Sequence, residues 1–312
     1  MRIAILGAGG VGGYFGARLA AGGADVTFVA RGAHLAAMQQ DGLRVVSECG
    51  DLHLRHVKAV DDIEGVGKVD LIIVCVKLWD TEQAASALTS LAKQGAAVLS
   101  LQNGVHKDEL LRKYLPPAAI IGGLCYIAAV IDRPGTIRHD GKMQRIVFGE
   151  YDGTHSARAE AFHQACTAAG IDADISNEIE RRIWEKYVFL VGLSATTAAI
   201  RQPVGPIRDN PAARAFLLDV MAEVVAVGRA KGVSLAHDFA EDRLRFCDAL
   251  PASTTSSMFH DLARGKRMEL PWLSGGVAEF GKALRVPTPM NRAVASILSI
   301  YAPGASDGPQ LG

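Results

Sequence analysis

The chain has 312 residues, 49% of them hydrophobic, which is enough for two domains with cores of their own and excludes a chain disordered throughout. Lysine plus arginine and aspartate plus glutamate are equal at 33 each, so the net charge is zero and a general attraction to nucleic acid or anionic membrane is excluded. Five scattered cysteines, without CxxC or Cys/His ligand spacing, argue against a zinc site and for reduced thiols in a cytoplasmic setting.

The opening stretch, MRIAILGAGGVGGYFGARLA, carries six glycines between positions 7 and 16, which break any signal-peptide helix. No later run of about 18 apolar residues could span a bilayer. Up to about residue 150, short apolar runs alternate with helical stretches, the pattern of a parallel sheet covered by helices. The strand candidates are RIAIL (2–6), DVTFVA (25–30), VDLIIVCVK (69–77), AAVLSLQ (96–102), AIIGGLC (119–125) and RIVFGE (145–150). Runs as apolar as LIIVCV suit strands buried on both faces. LRVVSECGDLHLRHVKAV alternates more and predicts a small hairpin; IDRPGTIRHDGKMQ reads as turns and edge strands.

Beyond residue 155 the texture becomes helical. Helices are predicted from Ser156 to about Ala169 and from about Glu178 to Ile200, with RQPVGPIRDNP as a loop. Asn210 followed by Pro211 marks a capped helix start, and that helix stops near Gly232. Further helices are expected at about 236–248, 256–264, 270–284 and 290–301. The fold expected is α/β, a Rossmann-type doubly wound parallel sheet followed by an all-α helical domain. Its divisions are 1–155, 156–302 and a tail over 303–312.

Gly7, Gly9 and Gly12 stand in G-x-G-x-x-G spacing between an apolar strand and an apolar-periodic helix. The first glycine permits the tight turn, the second lets a pyrophosphate approach and the third lets helix pack on strand. Free N–H groups at the helix start, at Gly10 and Val11, would bind phosphate. For NAD, the second strand should end in an acidic residue that accepts from the adenosine ribose. Here it runs into Arg31, which can hold a 2′-phosphate bidentately, so NADP(H) is the expected cofactor. Arg31 argues equally against S-adenosylmethionine.

With the glycine loop and its ARG (30–32), four further motifs resemble the ketopantoate (2-dehydropantoate) 2-reductase family over nearly the whole chain. They are CVKLWDT (75–81), SLQNGV (100–105), IWEKYVF (183–189) and SSMFHDLARGKRMEL (256–270). The resemblance implies a Rossmann domain joined to a helical one, with NADPH reducing a 2-oxo acid in the cleft between them. It makes Lys186 the general acid that protonates the substrate oxygen as hydride arrives. On a helix Lys186 shares its face with Phe189, Leu190, Leu193 and Ser194, so its ammonium emerges among apolar neighbours. Desolvation would lower its pKa, although the pattern alone equally suits a snorkelling lysine at a helix end.

The resemblance assigns the remaining roles residue by residue. Asn103 of the QNG orients nicotinamide and substrate, and Lys77 lies beside both. Ser257 binds the substrate carboxylate; Glu269 bonds a substrate hydroxyl and supports the lysine. Ser257 and Glu269 are twelve residues apart, about 18 Å along a continuous helix, so both reach one small substrate only if the helix breaks, and Gly265 offers the break.

Family members acting on ketopantoate carry Asn four and eight residues after the catalytic Lys, where this chain has Leu190 and Ser194 in the substrate-binding positions. LPWLSGG (270–276) likewise departs from the family's polar xIDYLNG. The leading expectation is NADPH-dependent reduction of a 2-oxo acid, by default 2-dehydropantoate to pantoate in pantothenate and coenzyme A biosynthesis. The alternatives are reduction of a more apolar 2-oxo acid, suggested by Leu190, and an NADP-binding sensor without turnover. No metal, nucleic acid or membrane partner is expected; a homodimer is compatible with the sequence.

Overall fold

The computed structural model describes residues 1–305, which divide into two compact units. The first comprises Met1–Asn103 and Lys107–Arg182; the second comprises Gly104–His106 and the chain from Ile183 onward. The expected tail over 303–312 lies largely outside the described residues.

In chain order the first unit contains β1 (Arg2–Leu6), α1 (Gly10–Ala21), β2 (Asp25–Val29), α2 (Gly32–Asp41), β3 (Leu43–Ser47), β4 (Leu52–Leu54) and β5 (Lys58–Val60). There follow β6 (Leu71–Val74), α3 (Thr81–Lys93), β7 (Ala97–Ser100), α4 (His106–Arg112), β8 (Ile120–Arg133), β9 (Thr136–Gly149), α5 (Ala157–Ala168) and β10 (Asp172–Ile175). Six strands run parallel in the order β5-β2-β1-β6-β7-β8. This is the doubly wound dinucleotide-binding order, with its switch point between β1 and β6. β9 returns antiparallel on β8 and carries β10 on one stretch and β3 on another; β4 pairs antiparallel on β3.

The apolar strand runs follow from burial on both faces. Ile3 and Ile5 of β1 join Tyr14, Phe15 and Phe28 in one core, whereas Ala4 and Leu6 join Ile72, Val74 and Leu88 in another. Each large side chain so buried contributes roughly 1.5–3 kcal/mol.

Three expectations of extent change. The run VDLIIVCVK is strand only over Leu71–Val74, because the chain turns away into a 3-10 turn at Leu78–Asp80. AIIGGLC and RIVFGE are parts of two fourteen-residue strands that form one long hairpin. IDRPGTIRHDGKMQ supplies its tip, with Gly135 at φ +73 in the turn. The compact units also divide later than residue 155, because α5 packs on β10 and β10 pairs with β9 of the first unit.

The second unit takes up α6 (Ile179–Ile200) at Ile183 and continues with α7 (Val204–Asp209), α8 (Pro211–Ala230) and α9 (Phe239–Ala249). It ends with α10 (Ser257–Ala263), α11 (Ser274–Leu284) and α12 (Pro289–Leu298), so it is all-α among the described residues. Asn210 caps α8 as expected, its Oδ1 accepting from the Ala213 N–H at 3.0 Å. RQPVGPIRDNP is not all loop: it holds α7. The Val204 and Gly205 N–H groups at its start donate to Thr254 and Ala252 carbonyls at 2.9 Å, tertiary partners invisible in the local sequence. Gly192 of α6 lets α8 approach, since a Cβ there would sit 2.4 Å from Met221 Cγ. Glu223 caps α12, accepting from the N–H groups of Met290 (2.7 Å) and Asn291 (2.9 Å). No described helix is long and apolar enough to cross a membrane.

Candidate active site

The sheet register places the candidate residues of the first unit. Leu6 is level with Val29 on one side and Val74 on the other, and Val74 is level with Ser100. The residues that follow these four strands therefore leave from one edge, the carboxyl edge where ligands of open α/β sheets bind. Gly7 leaves β1 there, Arg31 leaves β2, Lys77 leaves β6 and Asn103 leaves β7.

The glycine loop has the three properties its spacing predicts. Gly7 has φ +97, and a Cβ on it would lie 2.8 Å from the Val76 nitrogen. Gly9, the N-cap of α1, has no atom within 4 Å of where its Cβ would be. That open cradle fits a pyrophosphate held by the first-turn N–H groups of Gly10, Val11 and Gly12, and no acidic side chain stands in that turn. A Cβ on Gly12 would sit 2.2 Å from the Gly7 carbonyl oxygen, so this glycine serves helix–strand packing. Gly10 has a second reason to be glycine: its Cβ would strike the Ala129 carbonyl of β8 at 2.1 Å. The same loop is thus read twice, as a ligand cradle at Gly9 and as a packing joint at Gly10 and Gly12.

Arg31 is exposed and occupies the N-cap of α2. Lys77 is exposed, its ammonium 5.7 Å from the Trp79 ring centroid, and Asn103 is half-buried. A cavity of about 460 Å³ lies at the opposite end of the strands, lined by Arg2, Asp25 and Lys58 among others. Ion pairs occupy these charges there, Arg2 with Asp70 and Lys58 with Asp25, so the cavity lacks the cofactor chemistry of the carboxyl edge.

In the second unit α6 is the spine. Lys186, Leu190 and Ser194 follow one another at four-residue spacing and so share a face. Lys186 and Leu190 are half-buried; Ser194 is wholly buried, and its Oγ has no hydrogen-bonding partner among the described residues. Glu269 is 8% exposed and precedes the 3-10 turn Leu270–Trp272. α10 ends at Ala263 and Gly265 has φ +61, which is the break needed between Ser257 and Glu269. Ser257 is exposed at the first position of α10.

The comparisons with known proteins agree over both units. Residues 3–153 match the family model described as ketopantoate reductase PanE/ApbA, and residues 178–302 match its C-terminal counterpart. The chain belongs to the ketopantoate reductase family. It is 33% identical to the 2-dehydropantoate 2-reductase of Halobacterium salinarum, covering 96% of this chain and 98% of the relative. The crystal structure of a PanE/ApbA family ketopantoate reductase from Ralstonia eutropha JMP134 superposes with a TM-score of 0.88 at 33% identity, covering 97% of this chain and 98% of that one. D-mandelate dehydrogenase, solved with NADH and anilino(oxo)acetate, shares the fold with a TM-score of 0.87 at 21% identity, covering 97% and 98%. The protein is an oxidoreductase of this family, whose members use nicotinamide cofactors.

Several residues that organise this ketopantoate reductase fold escaped the sequence reading. The Tyr187 hydroxyl lies 2.8 Å from the Trp272 carbonyl and 3.0 Å from that of Leu273, tying the helix beside Lys186 to the turn after Glu269. Burial pushes the Tyr187 phenol well up, so it stays a donor. Thr197 and Ser256 share a hydrogen bond at 2.9 Å, and Ser256 Oγ accepts from the Phe259 N–H, capping α10 beside Ser257. α6 therefore anchors both segments that carry Ser257 and Glu269. The available signal was weak: one hydroxyl each in an apolar helix, and a serine doublet whose buried member is the first.

Proposed function

We propose that the protein reduces a 2-oxo acid with NADPH, 2-dehydropantoate being the default substrate and pantoate the product, in the cytoplasm as part of pantothenate biosynthesis. The observation that carries the reading is Lys186, set on α6 in line with Leu190 and the buried Ser194 hydroxyl and tied through Tyr187 to the segment bearing Glu269. NADPH, when bound, supplies the hydride to the carbonyl carbon. Lys186 gives its proton to the carbonyl oxygen, so C=O becomes CH–OH with charge and electrons balanced. Asn103 and Lys77 orient the reacting groups, Ser257 takes the carboxylate, and Glu269 holds a hydroxyl and supports Lys186. Arg31 at the end of β2 supports NADPH over NADH, since a guanidinium there pairs with a 2′-phosphate where an acidic residue would repel it.

Leu190 favours a second reading, a more apolar 2-oxo acid, because it offers no hydrogen bond where the family's ketopantoate enzymes place an amide. A site that lacks such a partner forfeits about 1–3 kcal/mol toward a polar substituent. The test is NADPH oxidation by the purified protein against 2-dehydropantoate and a panel of alkyl and aryl 2-oxo acids. Efficient turnover of 2-dehydropantoate supports the first reading, and preference for an alkyl or aryl acid supports the second. NADPH binding with no turnover of any acid overturns both in favour of a sensor.

A further inference from the structure

Behind the carboxyl edge of the first unit lies a set of polar side chains that the reaction as described does not use. Ser100, Gln102, Thr81, Lys107 and Asp108 are all at most 6% exposed. The Gln102 amide nitrogen donates to the Val76 carbonyl at 2.9 Å and to Thr81 Oγ1 at 2.8 Å, while its oxygen accepts from Ser100 Oγ at 2.9 Å. The Val76 carbonyl can only accept, which fixes which end of the amide faces it. Beneath, the Lys107 ammonium donates to the Ser100 carbonyl (3.2 Å) and to Asp108 (2.9 Å), and Tyr151 donates to Asp108 at 2.5 Å.

Burying a primary amide is costly unless its groups are bonded, and an apolar side chain of the same length would fill the space without that cost. Packing therefore does not call for glutamine here. What glutamine adds is a tie between three segments: the end of β7, the peptide before Lys77 and the first residue of α3. Gln102 is itself the residue before Asn103.

We infer that Gln102 is a positioning residue, whose buried amide locks the Lys77 loop to the Asn103 loop so that the two side chains meet the nicotinamide and substrate as a fixed pair. The inference rests on the function proposed above for Lys77 and Asn103. Its test uses the full chain with Gln102→Met, which keeps length without the hydrogen bonds, and Thr81→Val alongside Thr81→Ser. Three readouts separate the ends of the cofactor: binding of 2′,5′-ADP, the change in nicotinamide fluorescence when NADPH binds, and kcat on the best 2-oxo acid.

Gln102→Met is expected to leave 2′,5′-ADP affinity within about two-fold, to abolish most of the fluorescence change and to lower kcat by about ten-fold or more, the effect of losing a buried hydrogen bond. Thr81→Val should move the same readouts less, and Thr81→Ser should restore them. Unchanged fluorescence in Gln102→Met, an equal loss of 2′,5′-ADP binding, or no difference between Thr81→Val and Thr81→Ser would overturn the inference. If the wild type reduces no 2-oxo acid, the functional reading fails, and the fluorescence and 2′,5′-ADP arms still decide the role of Gln102.

Discussion

The two units supply chemistry by different means. In the first, the proposed cofactor site is made mostly by backbone geometry: a turn at Gly7, an open approach at Gly9 and N–H groups without an intrahelical partner at the start of α1, all at one sheet edge. In the second, the proposed function rests on side chains of one helix face, and hydroxyl bonds from Tyr187 and Thr197 tie that helix to neighbouring segments. Backbone-made sites depend on where a Cβ is absent, and side-chain-made sites depend on which functional group is present. The first kind is exposed to any added atom, the second to specific substitutions.

Adding single methyl groups to the loop is the harshest way to probe this contrast. Gly12→Ala drives a Cβ to 2.2 Å from the Gly7 oxygen, and overpacking of this kind costs about 1–3 kcal/mol or more, so both the melting temperature and cofactor binding should fall. Gly9→Ala meets no atom within 4 Å, so the melting temperature should hold while NADPH affinity drops. Thermal denaturation with fluorescence titration reads both; a Gly9→Ala protein that binds NADPH like wild type would remove the cradle from the account.

Arg31→Asp probes the exception in the backbone-made half, the one side chain that the proposed function charges with choosing the cofactor. Loss of a charge-assisted contact and gain of repulsion should weaken NADPH by about 10- to 100-fold, with NADH changed far less. Equal effects on the two cofactors, measured by paired titrations, would break the assignment. In the side-chain half, Leu190→Asn should raise kcat/KM for 2-dehydropantoate relative to an alkyl 2-oxo acid by about ten-fold, the worth of one restored hydrogen bond.

The same contrast explains what was legible in the sequence. The β1–loop–α1–β2 unit reads directly, because close approach and a positive φ both demand glycine and leave a fixed spacing. Asn210–Pro211 reads directly for a similar reason, a local cap with a local partner. The full extent of the β8–β9 hairpin did not, because its outer half carries Pro134, Gly135 and Gly141 among charged residues, and these mimic turns. α7 did not, because its first N–H groups are satisfied by Thr254 and Ala252, some fifty residues away in sequence. Likewise Ser257 stood out in its motif, yet the buried, helix-capping member of the doublet is Ser256, whose partner Thr197 lies on another helix.

The smallest expected effect lies at the opposite end of the strands from the carboxyl edge. The Arg2 guanidinium and N–H hold the Asp70 carboxyl down from 3.8 to about 2. A depressed carboxylate stabilises the fold above its unfolded-state value, and that contribution is lost as pH falls through about 2. Asp70→Asn should therefore lower the melting temperature slightly near neutrality, and the gap should close in acid below the usual carboxylate range. Because this pair is surface-exposed, added salt should narrow the gap as well.

The central claim, that a lysine on α6 gives the proton in an NADPH-dependent carbonyl reduction, is tested most directly by Lys186→Ala with the cofactor and the best 2-oxo acid both saturating. Loss of the general acid should lower kcat by about 10²–10⁴-fold while NADPH affinity stays within about two-fold of wild type. A kcat within about two-fold of wild type, with folding intact, would contradict it.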